Sequence, residues 1–158
     1  MTYELTSPLG FEVKICSRCH GSGQYSYNQI DGSRCYGCNG EKQQYTKRGK
    51  AAKMFYVESL KLLPQDVQVG QRIDNGMAKF TVAEILPVAQ SGSYLKNGVW
   101  EPIMHHNFKS TSGKEYGAQA GYPVKLIPAG EEKTRLVAEA LAYQDTLTAT
   151  GTVRKRAA

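Results

Sequence analysis

The chain has 158 residues, enough for one ordinary domain or for a small module attached to a domain of about 80 residues with its own core. We favour the second arrangement. Hydrophobic residues make up 41% and charged residues 22%, and no apolar run has the length of a membrane span, so a membrane protein is excluded at this stage. The formal net charge of +6 indicates an acidic partner, of which nucleic acid is the commonest polymer.

Two cysteine pairs follow the first predicted strand. Phe11, Val13 and Ile15 alternate with charged residues, which predicts a short β-strand. The pairs Cys16-Ser-Arg-Cys19 and Cys35-Tyr-Gly-Cys38 come next, separated by 15 residues. A two-residue gap lets both thiolates of a pair reach one ion, and two such pairs are typical of a tetrahedral zinc site. The sequence therefore predicts one Zn²⁺ bound by Cys16, Cys19, Cys35 and Cys38.

Glycines accompany both pairs and carry a family resemblance. Cys16 to Gly23 resembles one CxxCxGxG repeat of the cysteine-rich zinc domain of DnaJ-type chaperones, and Cys35 to Gly40 resembles a second, in which we place Glu41 at the last glycine. The resemblance covers about residues 14–42 and implies a zinc-clamped pair of hairpins, used in that family to bind proteins. The family carries four repeats, whereas this chain has two and lacks the His-Pro-Asp tripeptide of a J-domain.

Other chemistry is open to the same cysteines. Cys16-x-x-Cys19-His20 also fits a c-type haem attachment signature, and two pairs could form a disulfide framework or a redox pair. The N-terminus lacks the basic and apolar regions of a signal peptide, which disfavours haem attachment and disulfides and favours a cytoplasmic location. Iron in a four-thiolate site stays chemically possible. Zinc is the favoured interpretation.

Aromatic and basic residues near the pairs are candidates for contact with a partner. The tyrosines between the pairs either cover the metal or stack on bases. From Glu41 to Lys53 the chain is basic and poor in apolar groups, which predicts a flexible connector or a phosphate-contacting arm. The candidate nucleic-acid or partner-binding residues are Arg18, Tyr25, Tyr27, Arg34, Tyr36, Lys42, Tyr45, Lys47, Arg48, Lys50 and Lys53.

The next segment is rich in turn signals. Asn75-Gly76 and Asn97-Gly98 are typical of tight hairpin turns between strands. The predicted strands are Phe55–Leu63, Arg72–Asp74, Lys79–Leu86, Val99–Met104 and Val124–Ile127. Their number and spacing, with a loose resemblance of Val69–Ile73 and Phe80–Ile85 to the opening strands of SH3-like barrels, predict a small SH3-like β-barrel. We expect Trp100 in its core.

The C-terminal part contains a predicted helix and a polar tail. Glu131–Tyr143 has acidic residues in its first turn and an apolar stripe, which predicts an amphipathic helix. The fold class is therefore mostly β with a C-terminal helix. We divide the chain into a four-cysteine zinc finger module (1–45), a basic linker (46–53), a β-barrel domain with its helix (54–145) and a flexible basic tail (146–158) that ends in Arg154-Lys-Arg156.

These features favour a binding protein over an enzyme. Zinc held by four cysteines has no open coordination position for an activated water, and no other catalytic constellation is present in the sequence. The positive charge slightly favours a non-enzymatic zinc protein that binds nucleic acid. The alternative is a protein–protein adaptor, as the DnaJ-type resemblance implies. Either function fits a phage or mobile-element accessory protein.

Overall fold

The computed structural model describes residues 7–25 and 33–152. The chain divides into two compact units: an N-terminal unit of Met1–Tyr56 and Arg135–Ala158, and a sheet unit of Val57–Thr134. None of the helices in the described ranges has the length and apolar character required to cross a membrane.

Two short strands frame the cysteine pairs in the N-terminal unit. Strand β1 (Val13–Ile15) pairs antiparallel with β2 (Gln43–Tyr45), with Val13 opposite Tyr45. Helix α1 (Lys47–Ser59) begins directly after β2. Thr46 caps it, since its hydroxyl oxygen accepts a hydrogen bond of 3.0 Å from the amide of Gly49. The predicted linker 46–53 is therefore helix from Lys47 onward, which corrects the expectation of a flexible connector.

Helix α1 lies close to the chain that precedes β1. A Cβ atom added at Gly49 would be 1.9 Å from the carbonyl oxygen of Glu12, so the helix backbone touches the Glu12 backbone at this glycine. The buried face of α1 consists of Gly49, Ala52 and Tyr56, and the Tyr56 ring packs against Phe11 with centroids 6.1 Å apart. This narrow face of small residues suits a close approach and provides little apolar periodicity.

The predicted C-terminal helix is present as α2 (Gly130–Asp145). Its last turn belongs to the N-terminal unit, where the Gln144 side-chain oxygen accepts a hydrogen bond of 2.9 Å from the amide of Glu12. Leu147 is fully buried, and the carbonyl of Thr152 accepts a hydrogen bond from the amide of Thr148. The first half of the predicted flexible tail is thus packed, whereas Arg154-Lys-Arg156 lies outside the described residues.

The sheet unit contains one six-stranded sheet. Its strands are β3 (Lys61–Leu62), β4 (Arg72–Asp74), β5 (Lys79–Lys96), β6 (Val99–Ser110), β7 (Glu115–Gln119) and β8 (Val124–Leu126). A 3-10 turn at Pro64–Asp66 follows β3. The strand order is β3-β8-β4-β5-β6-β7, with β3 and β7 at the two edges. The mostly β fold with a C-terminal helix is confirmed, but the sheet is open and does not close into the expected barrel.

One apolar cluster supports this sheet. Phe80 stacks on Tyr116 with centroids 4.2 Å apart and lies 6.5 Å from the fully buried Phe108. The buried members of the cluster are Val67, Ile73, Phe80, Val82, Phe108, Ala118 and Val124. Alternating positions along β5 and β6 supply several of them, as expected for a sheet with one covered face.

Strands β5 and β6 extend beyond the rest of the sheet as a two-stranded ribbon. We call residues 90–104 the distal arm, since pairing with β7 starts only at His105. Leu95 and Trp100 face each other across the arm, and Trp100 is 68% exposed. The expectation that Trp100 lies in the core is therefore wrong, because the ribbon carries it away from the apolar cluster.

The predicted strands have mixed outcomes. Arg72–Asp74 is correct, and both Asn-Gly pairs form hairpin turns, with Asn97 and Gly98 at positive φ between Lys96 and Val99. The predicted strand Phe55–Leu63 is wrong as far as Ser59, where α1 ends, and correct only at β3, Lys61–Leu62. The strands that begin at Lys79 and Val99 are longer than expected, and β7 was not predicted.

Candidate metal centre and its basic surround

The four cysteines come together in a single buried cluster. Their sulfur atoms all lie within 4.8 Å of one another. The Cys16 and Cys35 sulfurs are 3.9 Å apart, and the Cys19 and Cys38 sulfurs are 3.6 Å apart. All four are free thiols rather than cystines. The predicted ligand set is therefore assembled in one place and can hold a metal ion.

The sulfur separations fit a tetrahedral ion. Four sulfurs at about 2.3 Å from a central ion lie about 3.8 Å from one another. The Cys19–Cys38 and Cys16–Cys35 separations of 3.6 and 3.9 Å fall on either side of that value, and every other sulfur pair lies within 4.8 Å. An ion bound there has four protein ligands and no open position, so the arrangement suits a structural site.

We call the two cysteine turns the knuckles; they comprise Cys16–Gly23 and Cys35–Lys42. Each residue of the first knuckle corresponds to the residue 19 positions later in the second, and their backbone hydrogen bonds correspond in the same way. The amide of Cys16 donates to the carbonyl of Lys42 and the amide of Cys35 donates to the carbonyl of Gly23, both at 3.0 Å. Each knuckle thus closes on the end of the other. This reciprocal arrangement brings the four sulfurs to one centre.

Positive φ angles repeat with the same offset. His20 has φ 50° and Asn39 has φ 52°, while Gly21 has φ 84° and Gly40 has φ 83°. Two successive left-handed residues after the second cysteine turn the chain back over the sulfurs. The second of them is glycine in both knuckles, and glycine adopts this conformation without a steric penalty. The CxxCxG part of each repeat is therefore explained by backbone geometry.

The last position of the second repeat is occupied by Lys42, not by Glu41 as we expected from the sequence. Lys42 has φ 68° and corresponds to Gly23, which has φ 78°. A Cβ atom at Gly23 would be 2.8 Å from the carbonyl oxygen of Gly40, so only the first repeat requires glycine here for space. Lys42 accepts the backbone strain of the left-handed region.

Backbone amides prepare one sulfur for a cation. Burial raises the pKa of the Cys19 thiol, but hydrogen bonds from the amides of Gly23 and Gly21 outweigh it and lower the pKa to about 6. In Cys38, burial and the neighbouring Cys19 sulfur raise the pKa to about 11. Because the two sulfurs are hydrogen-bonded to each other, the loss of a proton from Cys19 makes the loss of the Cys38 proton harder. A bound metal ion takes the place of that proton.

Arg18, between the cysteines of the first knuckle, is held by aromatic rings. Its guanidinium carbon lies 3.6 Å from the ring centroid of Tyr36 and 4.2 Å from that of Tyr25. Within the described ranges, Arg18 takes part in no ion pair, and its Nε atom is buried without a hydrogen-bond partner. Contacts with the ring faces leave the terminal N–H groups free to bind an acceptor at the edge of the guanidinium plane.

The lysines of α1 lie at the N-terminal end of that helix. Lys47, Lys50 and Lys53 are exposed, and the Lys53 ammonium lies 4.5 Å from the ring centroid of Tyr45. The helix therefore presents cations beside β2. Sequence reasoning identified these residues but placed them on a linker.

Arg48 differs from these lysines because it contacts its own unit. Its guanidinium lies 3.3 Å from the Glu12 carboxylate and 3.8 Å from that of Asp145, and it donates a hydrogen bond of 3.2 Å to the carbonyl of Gln144. These contacts join the start of α1 to the end of α2. Arg48 thus has a structural role within the N-terminal unit.

The remaining candidate residues are separate from these clusters. Arg34 and Lys42 are exposed, and the Arg34 stem passes over Gly40 in the second knuckle. Tyr27 lies outside the described residues, as does the Asp31-Gly32 turn that we predicted within the insert.

A groove between the second knuckle and α1 was missed by sequence reasoning. We call it the knuckle–helix groove; it has a volume of about 490 Å³. Its lining combines aromatic, amide, basic, acidic and apolar side chains, namely Tyr36, Asn39, Glu41, Gln43, Gln44, Tyr45, Lys50, Lys53 and Met54. One side of the groove is formed by helix α1. Because we expected residues 46–53 to be a flexible connector, the sequence analysis did not predict the groove. Thr46 at the cap and the helix-favouring Ala51-Ala52 pair were the available signals.

Comparisons of the chain with protein families, with characterised proteins and with solved structures find no match. The resemblance to the DnaJ-type zinc domain rests on the residues of the two cysteine repeats themselves.

Proposed function

We propose that the chain is a non-enzymatic, zinc-stabilised protein that binds nucleic acid through its knuckles and the N-terminal half of α1. Zinc is the proposed ion because four thiolates in a closed tetrahedral set are typical of structural zinc. The ion orders the knuckles, and the cations around them hold an acidic backbone.

One observation carries the nucleic-acid proposal. Residues 7–25 and 33–56 contain eight Lys or Arg against two Glu. Three tyrosines of the same segments contact these cations, namely Tyr25, Tyr36 and Tyr45. Basic groups that bind phosphates, interleaved with rings that can stack on bases, are typical of surfaces that bind nucleic acid.

Metal identity and nucleic-acid binding are tested together. Elemental analysis of the purified chain should give one zinc per molecule; iron or no metal would contradict the zinc assignment. A mobility-shift assay should show that affinity falls steeply with salt, with a log–log slope of about −0.7 to −0.9 for each phosphate contacted. Binding that ignores salt, or no binding to any DNA or RNA, would overturn the nucleic-acid proposal.

The exposed distal arm supports a second candidate, the protein adaptor. Leu95, Val99 and Trp100 are 58%, 64% and 68% exposed at its tip. Large apolar side chains grouped at the surface are typical of protein interfaces. In-cell crosslinking should then join a protein to the wild type and not to Trp100→Ser, while both chains bind nucleic acid equally. Equal crosslinking of the two chains would contradict this candidate.

A further inference from the structure

We propose that the knuckle–helix groove is a site for single-stranded nucleic acid, in which unstacked bases lie against Tyr36 and Tyr45 and phosphates are bound by Arg18, Lys50 and Lys53. The inference rests on the proposed nucleic-acid function and adds to it the strand form and the binding residues.

The two tyrosines provide stacking surfaces within one groove. Tyr36 is 61% exposed, although its ring contacts Arg18. Tyr45 is half-buried in β2 and lines the same groove. Base–aromatic stacking tolerates any sequence, since every base has a π-face. A cation lies over each ring, Arg18 over Tyr36 and Lys53 over Tyr45, so a base would stack on the other face of the ring.

Three cations at the groove are available for phosphate: Lys50 and Lys53 line it, and Arg18 lies outside the lining but contacts the ring of Tyr36. None of the ion pairs among the described residues includes Arg18, Lys50 or Lys53. Ring contacts instead hold Arg18 and Lys53 in place. A guanidinium held by its faces can still donate two parallel N–H bonds from its edge, the geometry that suits a phosphate.

The shape of the groove favours a single strand over a duplex. Its tyrosines line a recess of about 490 Å³, which has room for an unpaired base. A duplex keeps its bases stacked and offers phosphates to a surface instead. The Gln43 and Gln44 side chains add amide groups to the lining, and the Gln44 amide donates to the carbonyl of Gly37, which fixes its position.

The first test compares strand forms. Fluorescence anisotropy with labelled oligonucleotides of mixed sequence measures Kd for single-stranded DNA, single-stranded RNA and a duplex of the same length, on the metal-loaded full chain. We expect both single strands to bind at least about tenfold more tightly than the duplex, because each stacked base adds about 1–3 kcal/mol. The DNA and RNA arms then show which sugar is preferred.

The second test replaces the rings. Tyr36→Leu and Tyr45→Leu should each weaken single-strand binding by about 5- to 100-fold. Tyr36→Phe keeps a stacking ring and should bind nearly as the wild type does. Tyr122→Leu is the matched control, since Tyr122 is 66% exposed in the sheet unit, and it should have no effect.

The third test replaces the cations. Lys50→Gln and Lys53→Gln should each reduce the salt slope by about 0.7, the value for one phosphate contact on a single strand. Arg18→Gln should do the same and lower affinity further, because it removes a bidentate donor. Lys114→Gln, at an exposed turn of the sheet unit, is the matched control.

Each outcome has a defined meaning. If single strands bind no more tightly than duplex, or if both Leu variants keep wild-type affinity, the groove proposal is wrong while the nucleic-acid function survives. If no nucleic acid binds, the proposed function itself fails. Should a variant lose its metal, photo-crosslinking of a halogenated-pyrimidine oligonucleotide to the wild type decides the matter: crosslinks to Tyr36 or Tyr45 support the groove, and crosslinks only elsewhere overturn it.

Discussion

The knuckles and the sheet unit bury different kinds of side chain at their centres. In the knuckles the fully buried side chains are Cys16 and Cys35, with Cys19 and Cys38 beside them, and Tyr25 is the partly buried ring packed on this cluster. In the sheet unit the centre is an apolar cluster around Phe108. Hydrophobic burial stabilises the second without a ligand, whereas the first buries four polarisable sulfurs in a cluster that could hold a metal ion.

Removal of the metal should have the largest effect, because it should unfold the knuckles while the sheet unit stays folded. Chelation, or Cys16→Ser with Cys35→Ser, takes away a binding free energy that is about 10–16 kcal/mol in zinc-finger peptides. We expect the amide resonances of the knuckles to collapse in a ¹H–¹⁵N spectrum while those of the Phe80 and Phe108 strands persist. Loss of both sets of resonances together would show that the sheet unit also depends on the metal.

A substitution in the apolar cluster should destabilise the sheet unit and leave the metal centre unchanged. Phe108→Ala removes a fully buried ring and should lower the free energy of unfolding by about 3–5 kcal/mol. Circular dichroism during denaturant unfolding measures the loss, and elemental analysis should show unchanged metal content. Phe55→Ala is the control: Phe55 stacks on Tyr143 but is 40% exposed, so a smaller loss is expected. Metal loss in Phe108→Ala would show that the regions are not independent.

A third substitution disturbs the packing of α1 against the chain that precedes β1. Gly49→Ala places a methyl group within 1.9 Å of the Glu12 carbonyl oxygen, so α1 must move away from the chain that precedes β1. Overpacking of this kind costs about 3 kcal/mol. Thermal unfolding should show the loss. In Gly92→Ala the added Cβ meets only Ile103, at 3.9 Å, so little change is expected; equal effects of both substitutions would argue against the contact at Gly49.

The smallest expected effect tests the relation between the two knuckles. Lys42→Gly relieves a left-handed residue and should stabilise the metal-bound chain by up to about 1 kcal/mol. Gly23→Ala, at the equivalent position, should instead destabilise it, because the added atom meets the Gly40 carbonyl oxygen. Competition with a chelator measures both. The same sign for both substitutions would mean that the knuckles are not equivalent.

The ligand set was accessible from sequence because it depends on local chemistry. Cysteine spacing and the following glycines report a turn that is complete within eight residues, and the Asn-Gly hairpins are equally local. The DnaJ-type resemblance and the partner residues remain predictions, as does the division into four segments apart from the corrections to its linker and tail.

Helix α1 was missed because its signal is weak in apolar periodicity. Its buried face consists of Gly49, Ala52 and Tyr56, and two of these are too small to register as hydrophobic. A glycine within a basic run is typical of a linker. Its real reason is the close contact with Glu12, which is more than 30 residues away and leaves no local trace.

The length of β5 was underestimated because the predicted strand, Lys79–Leu86, stops before Pro87, and proline cannot donate to a strand ladder. The structure accommodates it at a bulge between Leu86 and Ala89, where its missing amide breaks no regular pairing. The open sheet and the exposed Trp100 follow from the same extension. The open sheet and the exposure of Trp100 both depend on which strands pair with each other, and the pattern of a single sequence does not specify that.

The burial of Leu147 has a consequence for synthesis. The N-terminal unit needs this residue from the far end of the polypeptide, whereas the sheet unit is one continuous segment. At ribosomal elongation rates, about 5–20 s pass between the emergence of Gly49 and that of Leu147. Of these two units, the one whose synthesis starts earlier is thus completed later, and early metal capture by the nascent cysteines would keep those thiols occupied in the meantime.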